Sequence, residues 1–210
     1  WRTAAPEQPV SDATLNAPGK PEVIDLGEGR TVILLKDDTL PYTALDMVIA
    51  GGNSLLTPDE QGLAGLSASV LTMATKARSN EDLERFLADR AASLSAVAGR
   101  HTSKVSASFP TRFSDDILPL LTEVLTEPAF DPEDLDRARD SQLAAVKAST
   151  DQPTGLMFRE LYPFLFKDHF YSYYLLGKPE DVAKYTADDA RRFWARQSGQ
   201  AWTLAVCGQF

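Results

Sequence analysis

Apolar residues change their spacing several times along the chain, and each change marks an element. The run TVILL at 31–35 is short, β-branched and continuous, bounded by Gly29 and by Lys36, Asp37 and Asp38, and predicts a buried strand. A second strand is predicted from about 43 to 50, ending at Gly51 and Gly52. Leu94, Ala96 and Ala98 alternate with polar or small residues, and Val105, Ala107 and Phe109 repeat the alternation beyond the GRHT stretch at 99–102. Period two on both sides of a short polar stretch predicts a hairpin with one face inward. A last strand is predicted at 203–208.

Helices are marked by their starts. Thr57, Pro58 and Glu60 combine an N-cap hydroxyl, a proline at the first helical position and a glutamate three residues on. Leu63, Leu66, Val70, Leu71 and Ala74 follow at helical spacing. SNED at 79–82 starts a second helix with Leu83, Phe86 and Leu87 inward, and Ser114 is the expected cap of a third, striped by Ile117, Leu120, Leu121, Val124 and Leu125. Asp131 and Pro132 open a long fourth helix to about 150. Thr154 is the expected cap of a fifth, with Phe158, Leu161, Tyr162 and Leu165 inward, and TADD at 186–189 opens a sixth carrying Phe193 and Trp194. This order lacks the regular alternation of a doubly wound sheet. It predicts an α+β fold, an antiparallel or mixed sheet packed with helices in a two-layer sandwich. Residues 1–22 hold four of the 13 prolines and few large apolar side chains, so they are expected to form a linker or extended arm ahead of a single domain over 23–210.

Charge and composition narrow the chemistry. The 210 residues carry 21 basic and 30 acidic side chains, a net charge of −9, which removes the electrostatic reason to bind nucleic acid or an anionic membrane. No apolar run approaches the ~20 residues of a membrane-spanning helix. Residues 1–22 show no basic-then-apolar targeting pattern, and the bacterial periplasm and the cytoplasm are both compatible with the sequence. The one cysteine, Cys207, excludes an internal disulfide framework and a cysteine-rich zinc site, and reads as a small core hydrophobe. Only His101 and His169 offer an imidazole, so a self-sufficient hydrolytic or metal centre is disfavoured and the composition leans towards binding or architecture.

The motifs that suggest chemistry have plainer readings. GLSAS at 65–69 superficially matches a serine nucleophile elbow centred on Ser67, but Ser69 replaces the second glycine and Ser67 falls inside a helix. Small residues packing a helix face is the stronger reading. Gly51, Gly52 and Asn53 read as a strand-ending turn rather than an anion cradle. His101 is expected to be solvated in the hairpin turn, while His169 with Phe170, Tyr171, Tyr173 and Tyr174 reads as a loop packed on the helices rather than a ligand surface.

A set of short stretches in fixed order then carries a family likeness. LP at 40–41, the strand into Gly51 and Gly52, QGLA at 61–64, SNEDL at 79–83, ASLSA at 92–96, EPAF at 127–130, DQP at 151–153 and AVCG at 205–208 together resemble one domain of the pitrilysin/insulinase family of zinc metallopeptidases. In active members, a stretch like QGLA leads into the motif H-x-x-E-H. Its two histidines, one helical turn apart, hold zinc, and its glutamate polarises the attacking water; a glutamate on the long helix is the third ligand. Carried over position by position, the first histidine falls on Gly65, the glutamate on Ala68, the second histidine on Ser69 and the third ligand on Ala144 or Ala145.

The resemblance implies a catalytically silent domain with no metal site or cofactor of its own, zinc being expected only in a homologous half or partner subunit. Because the family pairs homologous domains into two halves around a chamber, it further implies the first domain of the silent half, within a longer peptidase acting on peptide substrates. The strand like 92–98 borders the cleft in active relatives and extended substrate can add to its edge, so Ser93, Ser95 and Val97 are the candidate peptide-binding edge, expected to face the chamber. Two alternatives stand beside this reading: an architectural subunit like the core proteins of respiratory complexes, and an independent enzyme using His101, His169 or the carboxylates.

Overall fold

Alternate positions of the central strands decide which side of the sheet is covered. In the computed structural model, which describes residues 19–210, Ser103, Val105, Ala107 and Phe109 are buried while their neighbours Lys104, Ser106 and Ser108 are half-exposed. The strands are β1 (Glu22–Gly27), β2 (Arg30–Lys36), β3 (Tyr42–Ala50), β4 (Ser93–Ala98), β5 (Thr102–Pro110) and β6 (Trp202–Gly208), in the order β1-β2-β6-β3-β5-β4 across one sheet. β2 and β6 run parallel and every other pair antiparallel, so the sheet is mixed.

The helices are α1 (Leu63–Leu71), α2 (Asn80–Ala88), α3 (Ser114–Thr126), α4 (Pro132–Thr150), α5 (Pro153–Phe166), α6 (Pro179–Val182) and α7 (Ala187–Ser198). Leu45 and Ile49 of β3 and Val105 and Phe109 of β5 pack with Leu66 and Val70 of α1, Ile117, Leu120 and Val124 of α3, and Phe193 and Trp194 of α7 in one core. On the opposite face Lys104 and Asp46 form an ion pair at 3.4 Å beside Ser106. The two-layer α+β architecture read from the periodicity is the one observed.

Gln197 fastens α7 to the sheet. It is fully buried (0% exposed). Its Oε1 accepts from the Gly52 N–H at 2.7 Å and the Ser103 hydroxyl at 3.0 Å, and its Nε2 donates to the Ala50 carbonyl at 2.7 Å. Gly52 has φ +65°, and a Cβ there would lie 2.4 Å from the Gly99 carbonyl, so the strand-ending turn read from the glycine pair is a close backbone crossing.

Several local expectations shift. The Thr57–Glu60 capping box closes a 3-10 turn, Pro58–Glu60, and α1 starts only after it, at Leu63. Ser114 is the first residue of α3, its hydroxyl donating back to the Thr111 carbonyl at 2.6 Å, and the cap of α5 is Gln152 ahead of Pro153, not Thr154. β1 was not expected; its Val23 and Leu26 are largely exposed, so no one-sided periodicity marks it. Phe158, Leu161, Tyr162 and Leu165 do not form an inward face: no residue of α5 is buried, because α5 lies on α4 and the loop after it rather than on the sheet. Cys207 is exposed, since the side chains of β6 that enter the core are Trp202, Leu204 and Val206, of opposite parity.

Candidate functional site

The start of α1 is built by contacts from distant parts of the chain. Gly62, at φ +87°, turns the backbone into the helix, and a Cβ there would meet the Leu176 carbonyl at 2.6 Å. Gln142 of α4 is buried and its Nε2 donates to the carbonyls of Gly62 at 3.0 Å and Leu176 at 2.8 Å. The Tyr185 hydroxyl donates to the Gln61 carbonyl at 2.9 Å. Burial, with the carboxylates of Asp181 and Glu60 next in weight, pushes this phenol well above its ordinary range, so it stays a donor.

These ties bring α1 and α4 side by side around a cleft of about 350 Å³ lined by Gly65, Ser69, Met73, Ser141, Gln142 and Ala145. Gly65 and Ser69 share a helix face, four residues apart, and Ala145 faces them from α4. Ala144 and Ala68 do not line the cleft; Ala68 is buried in α1. None of Gly65, Ala68, Ser69, Ala144 and Ala145 carries an imidazole, carboxylate or thiolate, so the donor set does not fit a zinc ion. Among the described residues, no three or more His, Cys, Asp or Glu side chains are arranged to hold a metal.

Ser67, the elbow candidate, is fully buried and donates to the Ala190 carbonyl of α7 at 3.1 Å, a packing contact with no base beside it. His101 is exposed in the turn, and its Nε2 shares a hydrogen bond with the Tyr171 hydroxyl. The His169 Nδ1 accepts from the Tyr171 N–H at 3.2 Å, capping the 3-10 turn Phe170–Ser172. The two histidines thus meet through Tyr171, in edge contacts with its ring.

β4 is the edge strand of the sheet, and its register states which backbone groups are free. The Gly99 N–H donates to the Thr102 carbonyl at 2.8 Å, so Gly99 and Thr102 form a bonded antiparallel pair. The alternation of such pairs then directs Ser93, Ser95 and Val97 towards β5 with their N–H and C=O groups, and Leu94, Ala96 and Ala98 away from it, to the open edge. Ser93, Ser95 and Val97, expected as the peptide-binding edge, thus commit their main-chain groups to β5, and only their side chains lie on the exposed face, Val97 at 56% exposure. Among the described residues, no further strand pairs with that edge.

With this geometry the comparisons with known proteins agree. The family model described as Insulinase (Peptidase family M16) matches residues 31–178, well over half of the chain. The chain belongs to the insulinase family. A non-peptidase homolog, YmxG, of Helicobacter pylori is 26% identical over 165 residues, 79% of this chain and 38% of that protein. The mitochondrial-processing peptidase subunit beta of Blastocladiella emersonii is 24% identical over 184 residues, 86% of this chain and 39% of that one. The chain therefore spans about two fifths of the length of these curated relatives.

Solved structures share the fold. The crystal structure of a peptidase M16 inactive domain from Pseudomonas fluorescens superposes with a TM-score of 0.83 at 20% identity, over 91% of this chain and 47% of that one. The periplasmic protease PqqL from Escherichia coli superposes with a TM-score of 0.76 at 17% identity, over 91% of this chain and 22% of that one. The insulinase-family fold is thus present, and its cleft between α1 and α4 is lined by the small residues Gly65, Ser69 and Ala145. Two features of this site were not read from the sequence. One is Gln142, whose polar side chain at mid-helix carried no outward sign of its two carbonyl partners. The other is the set of backbone groups at Leu94, Ala96 and Ala98.

Proposed function

We propose that this chain is the non-catalytic domain of a larger insulinase-like zinc metallopeptidase, walling the substrate chamber and offering the open edge of β4 to extended peptide, with zinc held only by a homologous half or partner subunit. The observation that carries the reading is the open edge of β4, which no other described strand pairs with; the small residues Gly65, Ala68, Ser69 and Ala144 or Ala145 at the positions that the family likeness gives to zinc support it. Main-chain pairing needs no catalytic side chain, so peptide capture survives the loss of the metal ligands. Of the two candidates for the third ligand's position, Ala145 is supported over Ala144 by sharing the cleft with Gly65 and Ser69.

The test is equilibrium binding of an extended, unlabelled-backbone peptide to the full-length protein in the presence of a chelator, so that any zinc-bearing half is silent. Against it is measured the same peptide with N-methyl groups at every second residue. Methylation of the pairing edge is expected to weaken binding by about tenfold or more, since each lost donor leaves an edge carbonyl unmet. Equal affinity would remove β4 from peptide capture. The match to a non-peptidase homolog favours one second reading, a purely architectural subunit. In that case neither peptide binds.

A further inference from the structure

Beside the end of β4 lies a small pocket of about 110 Å³ between the β4–β5 turn and α5, lined mainly by aromatic and apolar side chains together with Ser172 and two arginines. A cavity of about 150 Å³ is enough to hold a benzene ring, so this one takes a single apolar side chain. Phe158, Tyr162 and Leu175 supply the walls, and Arg100 and Arg159 the charges among the described residues. Among the described residues no carboxylate lines it, although the chain as a whole carries a net charge of −9.

Arg100 is held in place before any ligand arrives. Its Nη1 donates to the Tyr171 carbonyl at 3.0 Å, and its guanidinium lies 4.6 Å from the Tyr162 ring centre. Among the described residues, its hydrogen bonds all leave through Nη1, so the rest of the fork is uncommitted. Arg159 stands over the Tyr174 ring at 6.0 Å. The Tyr174 hydroxyl is buried and meets no partner among the described residues.

We propose that this pocket binds the C-terminal residue of a peptide, an apolar side chain bearing a free carboxylate. Arg100 and Arg159 pair with the carboxylate, Tyr174 donates to it, and the aromatic walls enclose the side chain. Arg100 follows Ala98, the last residue of β4, by two positions. A peptide strand added parallel to β4 therefore ends at this turn, with its terminus at the arginines. The assignment deepens the capture of peptide by the β4 edge and rests on it.

The experiment compares two peptides of identical sequence ending in leucine, one as the free acid and one as the amide, by fluorescence anisotropy with the full-length protein under chelator. The acid is expected to bind about tenfold tighter or more, the range of a charge-assisted hydrogen-bonded pair. Arg159→Gln, on the half-exposed flank of α5, is expected to abolish the preference with an unchanged circular dichroism spectrum. Tyr174→Phe, which removes only an unpartnered hydroxyl, is expected to narrow it. If acid and amide bind alike, or if Arg159→Gln keeps the preference, the pocket does not read a C-terminus, while capture by the β4 edge stands. If neither peptide binds, capture by the edge fails and the pocket's role fails with it.

Discussion

Gln142 of α4 and Gly62 at the mouth of α1 are joined by a hydrogen bond of 3.0 Å that spans 80 residues of sequence. The same amide reaches the Leu176 carbonyl, so one side chain locks α1, α4 and the loop before α6 around the cleft. Gln142→Leu keeps the volume and leaves two carbonyls without their donor. It is expected to cost about 1–3 kcal/mol of stability, read as a lower urea midpoint at unchanged slope. A midpoint equal to the parent's would show that water replaces the amide and that the cleft is not held by it.

The proposed correspondence of Gly65, Ser69 and Ala145 to the family's zinc positions predicts that these three sites can be made to hold zinc. Gly65 has room for a side chain, its nearest neighbours to a new Cβ being the Leu175 carbonyl at 3.8 Å and Gln142 Oε1 at 3.9 Å. Ser69 and Ala145 are exposed on the same cleft. The triple variant Gly65→His, Ser69→His, Ala145→Glu is therefore expected to retain close to one equivalent of zinc after dialysis, three protein ligands leaving one position to water. The same variant with Ala144→Glu in place of Ala145→Glu is expected to retain far less. Equal retention by both would undo the correspondence between Ala145 and the family's third ligand.

What was legible in the sequence followed from one-sided burial. Leu45, Ile49, Val105, Ala107 and Phe109 announce β3 and β5 because one face of each strand meets the helices, and the stripe of α3 is buried as its spacing predicts. β1 escaped because Val23 and Leu26 are exposed, leaving no period to read. α5 was legible as a helix but not as an outward one: Phe164 is 76% exposed, and a pattern of apolar positions states that a face wants covering without stating what covers it. Gln142 and Gln197 were illegible for a different reason. A glutamine within a helix reads as solvent-facing, and the carbonyls of Gly62 and Ala50 that accept from these two are joined to them only by the tertiary fold. Of the positions carried over from the family likeness, Gly65 and Ser69 line one cleft with Ala145, whereas Ala68 and the alternative Ala144 do not line it, a choice that only the packing of α1 against α4 makes.

The register of β4 makes two neighbouring proline substitutions unequal. Ser95 directs its N–H to β5, whereas Ala96 directs its N–H to the open edge. Ser95→Pro breaks a ladder bond and is expected to destabilise the domain by at least about 1 kcal/mol more than Ala96→Pro, which removes an unpaired donor, as edge strands tolerate. Thermal melts of the two variants check the order. The reverse order would mean that the strand pairs with β5 through the other set of residues, and the edge groups assigned to Leu94, Ala96 and Ala98 would be wrong.

Acid should loosen the domain through its two capping boxes. Burial raises the Asp189 carboxyl, but the hydroxyl and N–H of Thr186 and the Arg192 guanidinium outweigh it, and the group ends below the usual aspartate range. At Glu60 burial again acts upward, and the Thr57 N–H and Arg196 outweigh it. A carboxylate depressed in the folded state binds fewer protons there than in the unfolded chain. Its stabilisation is complete above the unfolded value of about 4 and is lost as pH falls through the folded one. Parent stability is therefore expected to decline from about pH 5 downward. The double variant Glu60→Gln, Asp189→Asn should be less stable than the parent at neutral pH and converge on it in acid. Urea unfolding at four pH values checks this. The structural consequence follows from where the boxes sit. Thr57–Glu60 precedes the turn into α1, and Thr186–Asp189 opens α7, whose far end carries Gln197 against Gly52 and Ser103. If the gap between parent and double variant stays constant into acid, neither carboxyl is depressed, and the ion pairs with Arg192 and Arg196 contribute nothing that protonation removes.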